Sequence, residues 1–178
     1  MIVISEIIEM FPFVLLKFIK PKDKIALIFI WYIFISFAVD MIATMYYKTY
    51  GFPYIIYQIY TPIEVFFFSY ILFLIMSQDK EGRTAGLIFA ILASGVVLMI
   101  NILSSLKGFD DFSFFVENII ILVLSGALLN KLKFDYILFI VVGMFIYGLL
   151  NVLLFPQLHP VSNILMNISF GIALLKMM

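Results

Sequence analysis

Apolar residues run along this chain in long blocks broken by short polar punctuation. VFFFSYILFLIM (65–76) and YILFIVVGMFIYGLL (136–150) are nearly pure hydrocarbon, the pattern of helices surrounded by lipid or by one another. A bilayer core asks for about 20 apolar residues per helix, with a range of about 17–25. The blocks therefore predict seven spans, at 2–19, 25–47, 54–77, 84–105, 112–130, 135–155 and 160–177. KPKDK, KTYGFP, QDKEGR, KGFDD, NKLKFD and FPQLHP separate them. Connections this short make consecutive helices antiparallel neighbours. The expected fold is all-α: one polytopic transmembrane bundle over residues 1–178, with no room for a soluble domain.

The distribution of Lys and Arg gives the bundle a direction. With alternating threading, one side carries Lys17, Lys20, Lys22, Lys24, Lys80, Arg83, Lys131, Lys133 and Lys176, and the other only Lys48 and Lys107. Positive residues stay in the cytoplasm, so the N-terminus is expected outside and the C-terminus inside, in the cytoplasmic (inner) membrane. MIVISEIIEMF lacks the positive start and small-residue cleavage site of a signal peptide and reads as the first span. Tyr46, Tyr47, Tyr50, Tyr54, Tyr57 and Tyr60 gather around the outer second connection. They suit an interfacial belt, or an aromatic cage for a ligand.

Composition narrows the chemistry. The 178 residues are 65% hydrophobic and 12% charged, with mean hydropathy +1.20, against about 25% charged in an average globular protein. There is no cysteine, hence no disulfide, thiolate metal site or cysteine nucleophile. One histidine excludes a multi-histidine metal centre, and zero net charge without a basic tract speaks against nucleic acid. No phosphate loop, G-x-S-x-G or H-E-x-x-H is present, and no metal or cofactor is expected.

The polar residues inside the spans carry what remains. On the predicted threading, Glu6, Glu9, Asp40, Glu64, Asn101, Glu117, Asn151, Asn163 and Asn167 all fall in outer halves. The inner halves are nearly pure Ile, Leu, Val and Phe, which argues against a simple channel. Ser36, Asp40 and Thr44 repeat at four residues, as do His159, Asn163 and Asn167, and Ser113 with Glu117. Side chains so spaced stack on one helix face, and lipid offers them no partners, so they should turn inward. The expected object is an outward-opening acidic crevice lined by Asp40, Glu64, Glu117, Asn151, His159 and Asn163. The carboxamides also suit interhelical hydrogen bonds. His159, before Pro160, suits a solvated cap or an external pH sensor.

Glu64 has two readings. Thr61-Pro62-Ile63-Glu64 has the form of a capping box, which would start the helix at Pro62. If the helix starts near Tyr54 instead, Glu64 lies about 15 Å along it. Asp40 and Glu117 have no capping role, and an ionised carboxylate in hydrocarbon costs about 2.5–3.5 kcal/mol on insertion scales. Without a basic partner, either is expected to be partly protonated.

FPFVLLKFIKPK, IYQIYTPIEVFFFSYI and HPVSNILMNISFGIALL together resemble a bacterial family of small seven-helix membrane proteins, a likeness that implies the fold and no activity. Pro62-Ile63-Glu64 with Phe67-Phe68 also resembles the Pro-x-Glu-Glu…Phe-Phe signature of lycopene cyclase-type membrane terpene cyclases, with Val65 in place of the second acid. That resemblance implies a polyene cyclised after protonation by an acid.

Three functions fit these features. The first is a crevice binding a cation, a proton or a small ligand in a transporter or sensor module. The second is a lipid-phase, proton-initiated cyclase of a polyprenyl substrate, with Asp40, Glu64 or Glu117 as acid and aromatic walls stabilising a cation. The third is an accessory subunit. Expected partners are the lipid bilayer, a partner membrane subunit or a second copy of the chain, and, on the first reading, the ligand itself.

Overall fold

A computed structural model of the chain describes residues 12, 14, 15, 18, 19, 21, 23–51, 54–77, 80–105, 111–129, 135–154 and 159–178. Six long helices fill these segments: α1 (Lys24–Tyr50), α2 (Tyr54–Met76), α3 (Lys80–Ser105), α4 (Asp111–Leu129), α5 (Tyr136–Leu154) and α6 (His159–Met177). No strand occurs among the described residues. The helices take up predicted spans two to seven, with ends shifted by no more than four residues. The first predicted span, with Glu6 and Glu9, lies outside the described residues except at a few positions.

Local chemistry accounts for the helix ends. Asp23 caps α1, its Oδ1 accepting from Ala26 N at 2.8 Å, which satisfies an otherwise orphaned donor of the first turn. The helix stops at Gly51, whose φ of +88° suits glycine and whose N–H returns to Tyr47 O. The Oδ2 of Asp23 accepts from Tyr136 OH, and Lys24 Nζ donates to Tyr70 OH at 3.1 Å. The start of α1, the end of α2 and the start of α5 therefore meet at one end of the bundle, as antiparallel threading requires.

Four helices are long and apolar enough to cross a membrane: 24–50, 55–76, 81–103 and 136–153, while apolar stretches 114–129 and 161–177 are shorter. On α3, Ile88, Ile91, Leu92, Met99 and Leu103 are all more than half exposed, a surface suited to lipid and not to water. Among the described residues the fold is all-helical and compatible with a membrane protein.

Inside, α2 is the hub, packed against α1, α3, α4 and α5. Phe29, Tyr32, Phe68 and Phe170 interlock edge-on or tilted, with centroid separations of 4.7–6.3 Å. Helices α4 and α5 approach until a Cβ at Gly148 would lie 3.0 Å from Asn118 O and 3.1 Å from Leu122 N. Close backbone approach of this kind is how helices associate where no hydrophobic effect separates them from lipid.

Pro62 lies inside α2, which runs unbroken from Tyr54. The capping-box reading of Thr61–Glu64 is thereby corrected: Thr61 Oγ1 donates back to Tyr57 O at 2.8 Å instead of capping. Proline has no N–H, so it leaves the carbonyl four residues earlier without its helical partner. That carbonyl belongs to Gln58, and Asn101 Nδ2 of α3 donates to it at 2.7 Å. Ser94 Oγ, two turns back on α3, donates to Pro62 O at 2.8 Å. A neighbouring helix thus repairs the break, the arrangement that lets proline sit inside membrane helices.

Candidate functional site

An uninterrupted α2 carries Glu64 into the protein. It is the eleventh residue of the helix, about 15 Å from its start, and only 6% exposed. Tyr32 OH of α1 donates to Glu64 Oε1 at 2.7 Å. Across the contact between α2 and α4 stands Glu117, fully buried and close enough to Glu64 for the two carboxyls to interact directly. The approach falls short of a hydrogen bond, and neither oxygen of Glu117 has a hydrogen-bond partner.

Tyrosines surround the pair. Tyr60, one turn before Glu64, is buried with its hydroxyl unpaired, beside Tyr32, Ser36 and Glu64. The belt reading of Tyr60 is corrected accordingly: because α2 begins at Tyr54, Tyr60 falls two turns inside. Tyr47, Tyr50 and Tyr57 remain exposed, as a belt requires. Tyr147 of α5 is buried within electrostatic reach of both acids. Val65, where the cyclase signature has its second acid, packs against Ala93 and Val97 of α3.

Asp40 sits apart from the pair on the Tyr32 side. It is half-buried and lines a cavity of about 20 Å³ with Tyr32, Ser36, Phe37, Asn167 and Phe170. Asn151 and Asn163 belong elsewhere. Asn151 is buried, donating to Asn118 Oδ1 at 3.2 Å and accepting from Ser162 Oγ at 2.8 Å. Asn118 Nδ2 in turn donates to Phe114 O at 2.7 Å. This network ties α4, α5 and α6 together, as interhelical carboxamides do. Asn163 is half-buried beside Ser162, and the His159 side chain lies outside the described residues. Of the six residues expected to line one crevice, the structure brings Glu64 and Glu117 into direct interaction, in a closed interior.

Sequence reasoning missed Tyr32, Tyr147 and Asn118, and it grouped Tyr60 with the tyrosines of the outer connection. Tyr32 continues the four-residue spacing of Ser36 and Asp40 one step inward, and Tyr147 precedes Asn151 by four. Both signals were present, hidden by a residue type counted as apolar.

Two carboxyls this close in a medium of low dielectric cannot both ionise without large cost. A retained proton makes one of them a donor and leaves the other an acceptor. The site is thus equipped to hold or pass a proton. Among the described residues, no group of three or more His, Asp or Glu side chains is placed to hold a metal ion. No family model matches the chain, and no curated protein or solved structure matches it either.

Proposed function

We propose that this chain is a seven-span protein of the cytoplasmic membrane, N-terminus outside, whose buried Glu64–Glu117 pair binds a proton or a cation in a transporter or sensor module. The observation that carries this reading is Glu117, wholly buried beside a second acid and without a hydrogen-bond partner. A purely structural carboxyl would have its oxygens satisfied, because unpaired buried polar atoms cost about 1–3 kcal/mol. Orientation rests on the nine-to-two division of Lys and Arg. Single cysteines at Lys80 and Thr49 should react with an impermeant reagent from opposite faces, and labelling from one face would refute the threading.

The pair also has a thermodynamic signature. If the folded pair binds a proton or a cation, that binding stabilises the fold and makes its stability depend on pH or on cation concentration. The titratable groups facing the pair are Tyr32 of α1, Tyr60 of α2 and Tyr147 of α5, and Asp40 of α1 acts on the last two. None comes from α3 or α6 among the described residues. The test is melting in detergent across pH and a panel of cations for wild type, Glu64→Gln and Glu117→Gln. The amide variants should fold and lose the pH or cation response, and an unchanged response in both would overturn the proposal.

A further inference from the structure

We infer that the ligand of the pair is the proton, and that it reaches Glu64 from Asp40 through the hydroxyls of Ser36, Tyr60 and Tyr32. The inference rests on the proposed binding role of the Glu64–Glu117 pair and narrows it to one species and one route.

The route follows one stripe of α1. Tyr32, Ser36 and Asp40 are four residues apart, drifting about 40° per step and rising about 12 Å in all. Exposure increases along it: Tyr32 is 2% exposed, and Ser36 and Asp40 are half-buried, as is Thr44 one step further. At the inner end, Tyr32 OH is already hydrogen-bonded to Glu64. In the middle, the unpaired Tyr60 hydroxyl stands between Ser36, Tyr32 and Glu64. At the outer end, Tyr32, Ser36, Asp40 and Asn167 share the cavity of about 20 Å³. A site of about 10–15 Å³ with two to four polar partners suffices for a water molecule, so this cavity can close the gap between Asp40 and the hydroxyls.

A cation that keeps a shell of six or more oxygen ligands needs more room than a single water, and the space beside Asp40 is about 20 Å³. Hydroxyls, by contrast, each accept a proton on oxygen and release their own to the next acceptor. In one passage the Asp40 O–H bond breaks, each bridging oxygen exchanges one O–H for another, and a new O–H forms on Glu64. Charge and atoms balance.

The experiment uses the full chain in phosphatidylcholine vesicles, moved rapidly from H₂O to D₂O buffer. The infrared C=O stretch of a protonated carboxyl shifts on deuteration, and the relevant band is the one lost in Glu64→Gln or Glu117→Gln. In wild type this band should shift promptly. In Asp40→Asn and Tyr32→Phe its shift should slow about tenfold or more, the change produced by a barrier rise of about 1.4 kcal/mol. Asp40→Glu should restore the wild-type rate. The amide bands check the fold, and if Tyr32→Phe fails to fold, the half-buried Asp40 pair of variants decides alone. Exchange at the wild-type rate in Asp40→Asn would overturn the route while leaving the pair's role intact. A wild-type spectrum without the band would instead defeat the proposed function itself.

Discussion

Truncating Glu64 to alanine is expected to destabilise the fold by about 2–5 kcal/mol, the range seen for large-to-small changes in packed interiors. Two losses combine. The Tyr32 hydroxyl, 2% exposed, loses the acceptor it holds at 2.7 Å, and α2 loses volume where it packs against α1, α4 and α5. Glutamine at the same position keeps an oxygen for Tyr32 and nearly the same shape. Its expected cost is about 1 kcal/mol or less, the size of an ordinary interhelical hydrogen bond in a bilayer. Equilibrium unfolding in mixed micelles, followed by circular dichroism, measures both. Equal losses for alanine and glutamine would mean that the charge state of Glu64, and not its shape and hydrogen bond, holds this part of the bundle.

The second large effect belongs to the repaired break in α2. Asn101→Leu removes the hydrogen bond that Asn101 Nδ2 donates to the Gln58 carbonyl at 2.7 Å, and a loss of about 1–3 kcal/mol is expected. Pro62→Ala gives the chain back an N–H that reaches Gln58 O in the ordinary helical way. In that background Asn101→Leu should cost far less, with a coupling of about 0.5–3 kcal/mol, as for residues acting on one group. The full double-mutant cycle measures this coupling. Additive losses would show that Asn101 does something other than replace the bond that proline removes.

These two sites also mark how far the sequence could be read. The described segments between residues 24 and 177 form helices where the apolar blocks predict them, because block length and polar punctuation are first-order consequences of a bilayer solvent. Six described helices match spans two to seven closely, and their short connections give the sequential neighbours α2–α3, α4–α5 and α5–α6. What composition could not give was the non-sequential contact between α2 and α4, and with it the meeting of Glu64 with Glu117. Such a contact rests on side-chain packing between helices far apart in sequence, which block length does not encode.

Around Pro62 the sequence left two readings open, a helix start at Pro62 and a helix running from near Tyr54, and the second is the one found. Thr-x-x-Glu with proline at the second position is a genuine local start signal, and Tyr54–Tyr60 looked interfacial by residue type. Asn101, more than thirty residues away, overrides it by donating to the Gln58 carbonyl whose helical donor Pro62 removes, and Ser94 adds a bond to Pro62 O. The consequence for function is direct. Continuity moves Glu64 from a helix mouth to a buried position, and turns Tyr60 from a surface residue into part of its surroundings. Asn151 illustrates the opposite case, where the bland expectation of an interhelical bond was the one realised.

The central claim is that the Glu64–Glu117 pair holds a proton inside the bundle. Infrared spectroscopy of the full chain in phosphatidylcholine vesicles at neutral pH addresses it most directly. The account predicts a protonated-carboxyl C=O band in wild type that disappears or shifts in both Glu64→Gln and Glu117→Gln, with amide bands unchanged. A band identical in wild type and both variants, or no such band in wild type, would contradict it.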